Sequence, residues 1–211
     1  MTETYLQLGG ETKHMIHDPG KLLLGYRDQY GADYYDYQPV TDPGVLVAED
    51  LAVTLAVNSN AGWRAFRSVK LYAAEVDLAG LPHRELQETT PEEREAVADL
   101  IFQIVEWPGF GSSLATKLLH KKRPALIPML DNQSIFGAYA NSQWPAEGAS
   151  WGSVTSRTMI RSTLESIYQD VSRETNVLAW EKMKRLEPAF SRIELFDCIW
   201  WMYFRNHQPR A

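Results

Sequence analysis

Residues 107–139 read WPGFGSSLATKLLHKKRPALIPMLDNQSIFGAY, and this segment is the most informative part of the chain. Pro108 ends the helix that precedes it, Gly109-Phe110-Gly111 turns the chain, and a new helix begins at Ser112. The first amides of that helix have no partner within it and lie at the positive end of its dipole. The segment therefore predicts two helices joined by a tight hairpin turn that can bind an anion such as phosphate.

Positive charge is concentrated in the same segment. The chain as a whole is acidic, with a formal net charge of −6, yet no Asp or Glu occurs between residues 107 and 130. Four basic side chains occur there: Lys117, Lys121, Lys122 and Arg123. A local cationic surface beside an anion-binding turn is typical of a protein that grips a nucleic-acid backbone at one point.

Helical periodicity extends to both sides of this segment. Thr90-Pro91-Glu92-Glu93 is a capping box with proline in the first turn, and the apolar residues behind it are spaced for one helical face up to about residue 106. Further helices are predicted over residues 45–57, capped by Asp42, over 62–78, and in three segments after residue 153, the last opened by a capping box at Ser191 and Glu194 and running to Tyr203. No strand alternation is sustained. The sequence therefore predicts a mostly α fold.

The organisation of the chain follows from where this periodicity starts. Residues 1–44 contain Gly-Gly and Pro-Gly breaks and then a tyrosine-rich stretch, and we interpret them as an irregular N-terminal arm and lead-in. Residues 45–211 are interpreted as a single helical domain, with the helix-hairpin-helix at 91–120 and a polar loop at 141–153. A chain of 211 residues is long enough for one domain of this kind.

The motif resembles the helix-hairpin-helix (HhH-GPD) DNA glycosylase superfamily, of the endonuclease III and 8-oxoguanine glycosylase type. Pro108-Gly109-Phe110-Gly111 matches the hairpin, Leu114-Ala115 the threonine-alanine pair, and Pro128-Met129-Leu130-Asp131 the run into the catalytic aspartate. The chain is also similar to a bacterial family of uncharacterised proteins with the signature KxLxxKRPxLIPxxD. This second similarity implies no particular function. The resemblance to the glycosylases implies their helical architecture and a DNA partner.

The resemblance assigns roles to individual residues. It implies that Asp131, 20 residues after Gly111, is the catalytic carboxylate, which would stabilise an oxocarbenium-like sugar and hold the attacking water. Ser113 stands where lyase-competent members carry a lysine, which implies a monofunctional enzyme. The expected contacts to the DNA backbone are Gly109, Gly111, Ser112, Ser113, Lys117, Lys121, Lys122 and Arg123. The flipped base would enter a pocket whose candidate aromatic walls are Tyr34, Tyr35, Tyr37, Trp200 and Trp201.

Each of these features has a structural alternative. The hairpin is also consistent with an ordinary connection between helices, Asp131 with a helix N-cap, and the tyrosines with core packing. Asp197 lies in an apolar helix, so it is either a buried partner of Arg192 or Arg205 or a group that lines a pocket. Glu49 and Asp50 are interpreted as capping or paired groups.

Composition narrows the class of protein. The lone Cys198 forms no internal disulfide and excludes a four-cysteine metal or iron–sulfur site, and the histidines show no metal-ligand spacing. No apolar run is long enough for a membrane span and the N-terminus lacks a secretion signal, so we expect a cytoplasmic protein with no membrane association and no cofactor or metal. The sequence leaves protein partners open.

Three functions remain at this point. The first is a monofunctional DNA glycosylase that acts on a modified or damaged base. The second is a non-catalytic nucleic-acid-binding or regulatory module that keeps the hairpin. The third is a helical domain in which the Lys-Arg-Pro segment is purely structural and the function lies at an unrelated cleft.

Overall fold

The structure, a computed structural model, describes residues 4–30, 33–37, 41–57, 59, 61–139 and 156–207. The α-helices are α1 (Pro19–Tyr30), α2 (Asp33–Asp36), α3 (Trp63–Tyr72), α4 (Pro91–Val105), α5 (Ser112–Lys122), α6 (Arg157–Ser172), α7 (Val177–Leu186) and α8 (Arg192–His207). A 3₁₀-helix at Ala48–Val57 and a π-helix at Asn132–Tyr139 complete the larger elements. The fold is mostly helical, as the periodicity predicts.

The described N-terminal residues form regular elements, which corrects the prediction of an irregular arm. Strands β1 (Tyr5–Leu8) and β2 (His14–His17) form an antiparallel hairpin, with Tyr5 opposite His17 and Leu8 opposite His14. The Gly-Gly pair is its connection, because Gly9 and Gly10 both have positive φ. Pro19 and Gly20 open α1 rather than breaking the chain.

This N-terminal region shares one hydrophobic core with the rest of the chain. Leu6, Leu8, Ile16 and Leu23 are buried in the same cluster as the apolar faces of α4, α6 and α8. Asn176 fixes the hairpin to the body, since its side-chain amide donates to the carbonyl of Gln7 and its Oδ1 accepts from the Gln7 amide, both at 2.9 Å. Among the described residues, the hydrophobic core therefore includes side chains from both sides of residue 44.

The predicted helix over residues 45–57 forms only in part. Asp42 does not cap it, because Asp42 Oδ1 accepts from the amide of Gly44 at 2.7 Å and its carbonyl accepts from Val45 at 3.2 Å, which makes a turn. The helical segment begins at Ala48 and has 3₁₀ geometry. Its buried Leu51 and Val53 face the core, whereas Leu55 is 70% exposed.

Two helix starts agree closely with the sequence. Thr90 and Glu93 form the predicted capping box of α4, with Pro91 in the first turn. Ser191 and Glu194 form the second one at α8, where the Ser191 amide donates to Glu194 Oε2 at 2.7 Å. The predicted helix over 62–78 ends earlier, at Tyr72, and the predicted loop at 141–153 lies outside the described residues.

Among the described residues, no helix is both long enough and apolar enough to cross a membrane.

Candidate nucleic-acid interface

The turn between α4 and α5 has the features of a type II turn. The amide of Phe110 donates to the carbonyl of Trp107 at 3.0 Å, Pro108 takes the second position, and Gly109 takes the third with φ +89°. This is the conformation that favours proline and glycine at those positions. The turn is held against α3, because Ser68 Oγ donates to the carbonyl of Pro108 at 2.8 Å.

Helix α5 begins without a side-chain cap. Gly111 is its N-cap, and no side chain accepts from the first-turn amides. Gly111 and Ser113 are half-buried, whereas Ser112 is fully buried. Ser112 therefore supports the structure rather than contacting a ligand, and the open amides of the first turn lie at Ser113 and Leu114.

Hydrogen bonds place the segment around Asp131 beside this helix. Ser112 Oγ donates to Asn132 Oδ1 at 3.0 Å, and Thr116 Oγ1 accepts from the amide of Leu130 at 2.9 Å. The N-terminal half of α5 thus lies alongside residues 130–132. The structure brings together the two features, hairpin and aspartate, that the resemblance requires to be neighbours.

Asp131 is the N-cap of the π-helix that follows it. Its Oδ1 accepts from the amides of Gln133 at 2.9 Å and Ser134 at 3.0 Å, and from Ser134 Oγ at 3.3 Å. The residue is half-buried, and these bonds use only one of its carboxylate oxygens. The capping alternative is therefore correct for Oδ1, while Oδ2 takes no part in it.

The Lys117 ammonium interacts electrostatically with the Asp131 carboxylate. Burial lowers the pKa of the Lys117 ammonium, and the negative charge of Asp131 opposes that shift. The carbonyl of Lys117 accepts a hydrogen bond from the Tyr34 hydroxyl at 2.9 Å. The site therefore contains one half-buried ammonium and one half-buried carboxylate beside open amides.

Lys121 is turned toward the tyrosines. Its Nζ donates to the carbonyl of Tyr35 at 3.1 Å and lies 4.7 Å from the ring centroid of Tyr34. Burial lowers the pKa of this lysine to about 8. Because its ammonium already has protein partners, Lys121 is less available to a phosphate than the sequence predicts.

Lys122 and Arg123 are buried, which corrects their assignment to the DNA backbone. Lys122 Nζ forms an ion pair with Asp50 Oδ2 at 2.9 Å and donates to Thr41 Oγ1 at 2.8 Å. The Arg123 guanidinium donates to the carbonyls of Pro43 at 3.0 Å and Leu78 at 2.7 Å. Buried cations need such partners. These two side chains hold the segment before the 3₁₀-helix onto α5.

Three of the five candidate pocket aromatics belong to the core. Tyr34, Tyr35 and Trp200 are each at most 4% exposed, and Trp200 Nε1 donates to the carbonyl of Ser134 at 2.6 Å. Tyr37 is exposed, and Trp201 is half-buried with its ring edge-on to that of Tyr30. The structure therefore does not gather the five rings into one base pocket.

The buried His120 of α5 and the buried Asp197 of α8 lie close together, a contact that the sequence does not predict. His120 Nδ1 lies 2.7 Å from the carbonyl oxygen of Ile127 and 3.7 Å from Asp197 Oδ2. Because a carbonyl oxygen only accepts hydrogen bonds, Nδ1 is assigned the proton. Asp197 accepts from the amide of Met129 at 3.3 Å, so it is partnered by this backbone rather than by Arg192 or Arg205. Burial raises the pKa of Asp197 and lowers that of His120 to about 4. Nothing in the spacing of these residues indicates the contact.

Helix α3 is the other feature that sequence spacing misplaces. Trp63 falls in an apolar pattern with Phe66 and Val69, but it is 74% exposed. Trp63 lies on the same face of the helix as the exposed Arg67 and Lys70, so it points to solvent although its spacing fits the apolar pattern. Only the contact between α3 and the hairpin turn makes this helix part of the site.

Comparisons with curated proteins and with solved structures find no match. A family of unknown function, DUF6308, matches residues 22–204. This range includes the hairpin, Asp131 and the eight described α-helices, except for the first three residues of α1 and the last three of α8. The chain belongs to this family of unknown function, DUF6308.

Proposed function

We propose that this protein is a monofunctional DNA glycosylase of the helix-hairpin-helix type, with Asp131 as its catalytic carboxylate. The observation that carries the proposal is the hydrogen bond from Ser112 Oγ to Asn132 Oδ1. It sets the uncapped N-terminus of α5 beside Asp131, so one sugar–phosphate can contact both. The HhH-GPD resemblance supplies the reaction class.

Charge explains how such a site would work. Cleavage of an N-glycosidic bond develops positive charge on the sugar, and a fixed carboxylate nearby stabilises it. The N-cap bonds to Oδ1 hold the Asp131 side chain in one orientation. Oδ2 is then the oxygen that faces the anomeric carbon or orients water. The open amides of Ser113 and Leu114 would bind the adjacent phosphate.

Lys117 is the one predicted cation that remains suited to this site. It is half-buried and interacts with the charge of Asp131. A phosphate beside it would gain a charged partner without requiring Lys122 or Arg123 to leave the core. Ser113 provides no amine for a Schiff base, so the proposed reaction is hydrolysis alone.

The experiment is a screen of duplexes containing modified bases for base release by the wild type and by Asp131→Asn. Asparagine retains the N-cap acceptor, so the variant is expected to fold normally and lose base release by roughly a hundredfold or more. Glu106→Gln removes an exposed carboxylate next to the hairpin and is the matched control, with no loss expected. Full activity in Asp131→Asn would contradict the proposal.

A second candidate, a non-catalytic nucleic-acid-binding module, is favoured by one observation. Tyr34, Tyr35 and Trp200 are core residues and supply no base pocket. On this alternative the wild type binds DNA in a salt-dependent way, releases no base from any duplex in the screen, and is unaffected by Asp131→Asn.

A further inference from the structure

Helix α3 presents an exposed face that combines aromatic, basic and apolar side chains. At 100° per residue, the five exposed residues of the helix fall within one third of its circumference: Trp63, Arg64, Arg67, Lys70 and Leu71. The opposite side, with Ala65, Ser68 and Val69, is buried. We refer to the five exposed residues as the α3 platform.

The charge of the α3 platform is uncompensated. Residues 63–72 contain three basic side chains and no acid, in a protein whose net charge is −6. Among the described residues, no ion pair uses Arg64, Arg67 or Lys70. The next acids in the sequence are Glu75 and Asp77, beyond the end of the helix. Charge complementarity therefore points to an anionic ligand.

The aromatic part of the platform is preformed. The Trp63 ring stacks on Phe66 with 17° between their planes and 5.7 Å between centroids, and Lys70 Nζ lies 5.2 Å from the Phe66 centroid. Phe66 thus supports one side of the indole. Because Trp63 is 74% exposed, its outer face is available for a further stacking partner. Flat aromatic faces flanked by cations are how proteins bind unpaired bases.

The platform is continuous with the hairpin turn. A β-carbon placed on Gly109 would lie 2.6 Å from the backbone nitrogen of Ala65 and 2.8 Å from Cβ of Arg64. Ser68 adds its hydrogen bond to Pro108. Arg64 therefore lies at the turn itself, so a strand that passes the turn also reaches α3.

We propose that the α3 platform binds a single-stranded segment of nucleic acid, with a base stacked on Trp63 and the backbone phosphates on Arg64 and Arg67. This inference rests on the proposed function in assuming that nucleic acid is the ligand of the hairpin. It assigns the platform a binding role only, separate from the chemistry at Asp131.

The test measures binding of a fluorescein-labelled oligothymidylate by fluorescence anisotropy over a range of salt concentrations. Trp63→Ala is expected to raise Kd roughly tenfold, whereas Trp63→Phe retains most of the affinity because every base can stack on a phenyl ring. Arg64→Ala/Arg67→Ala is expected to lower the salt slope by about 0.7 for each phosphate contact that is lost. Melting temperatures should match the wild type, since these side chains are exposed.

The matched control is Leu178→Ala/Arg185→Ala on α7, which removes an apolar residue that is 75% exposed and an exposed cation away from α3. It should leave Kd and the salt slope unchanged. Equal losses in this control, or unchanged binding in both α3 variants, would overturn the inference. Dimerisation of the wild type that Trp63→Ala abolishes would also overturn it, because a second copy would then occupy the platform.

An assay of base release distinguishes a failure of the platform inference from a failure of the proposed function. If Asp131-dependent release persists while the α3 variants bind normally, the platform inference alone is wrong. If the oligothymidylate binds through the platform and no duplex releases a base, the inference stands and the glycosylase proposal fails. A wild type that binds no oligothymidylate even at low salt contradicts the platform inference.

Discussion

Gly109 holds a backbone conformation that other residues avoid, with φ +89°. A side chain there would also collide with the first turn of α3, because its β-carbon would be 2.6 Å from the Ala65 nitrogen. Gly111, two residues later, has φ −139° and open space around it. The two glycines of the hairpin thus have different roles, although the sequence shows them as a symmetrical pair.

We expect Gly109→Ala to lower the free energy of unfolding by about 2 kcal/mol or more, from left-handed strain together with the backbone clash. The measurement is urea denaturation. Gly111→Ser is the control at the neighbouring position, and it should be neutral or slightly stabilising because serine is a good N-cap. Equal destabilisation by the two changes would show that the turn geometry described here is incorrect.

His120 makes stability depend on pH. Burial lowers its pKa from 6.5 to about 4, so between those values the unfolded chain binds a proton that the folded protein does not. Stability from this group is present above pH 6.5 and is lost as pH falls toward 4. The raised pKa of the neighbouring Asp197 acts in the opposite direction, because the folded state there keeps its proton to higher pH.

We therefore expect the pH dependence of stability to differ between the wild type and a variant that lacks the imidazole. Relative to His120→Asn, whose amide can replace Nδ1 as a donor to Ile127, the wild type should lose roughly 3 kcal/mol more stability between pH 6.5 and 4. Thermal unfolding at a series of pH values measures this. Parallel curves for the two proteins would mean that His120 is not desolvated as described.

At the scale of elements, the Lys-Arg-Pro segment joins α5 to the loop before the 3₁₀-helix. Lys122 pairs with Asp50, and Arg123 binds the carbonyls of Pro43 and Leu78. The sequence correctly predicts that this segment is positively charged. It does not predict that the side chains of Lys122 and Arg123 point into the core. Charge counting treats all four cations alike, whereas position on the helix decides which ones face the core.

Lys122→Met should lower the free energy of unfolding by about 3 kcal/mol, since it leaves the Asp50 carboxylate buried without its cation. The adjacent Lys121→Met removes an ammonium that has no carboxylate within ion-pair distance among the described residues, and it should cost only about 1 kcal/mol. Chemical denaturation of both variants makes the comparison. A smaller effect at Lys122 than at Lys121 would contradict the buried pair.

Some elements were predictable because their sequence determinants are local. Thr90 to Glu93 and Ser191 to Glu194 define helix starts by capping alone, and both form as expected. The β-hairpin was not predictable in the same way. Its strands have four residues each, too few to show alternation, so the sequence alone indicates only breaks at its glycines.

At the scale of the molecule, the candidate site is assembled from described segments that are distant in sequence. The hairpin turn, Asp131 and α3 come together through Ser112–Asn132 and Ser68–Pro108 hydrogen bonds. The first contact, between Ser112 and Asn132, is expected only because the spacing from Gly111 to Asp131 resembles that of the glycosylase family. The second could not be predicted, because no local pattern links residue 68 to residue 108.

We propose that the N-terminus of α5 and Asp131 form a single site for a sugar–phosphate. Titration of the ¹⁵N-labelled protein with a short duplex containing an abasic-site analogue, followed by NMR, tests it most directly. We expect the amides of Ser113 and Leu114 and those of Asp131 to Ser134 to shift together, with one Kd. Shifts in only one of these groups, or in neither, would contradict it.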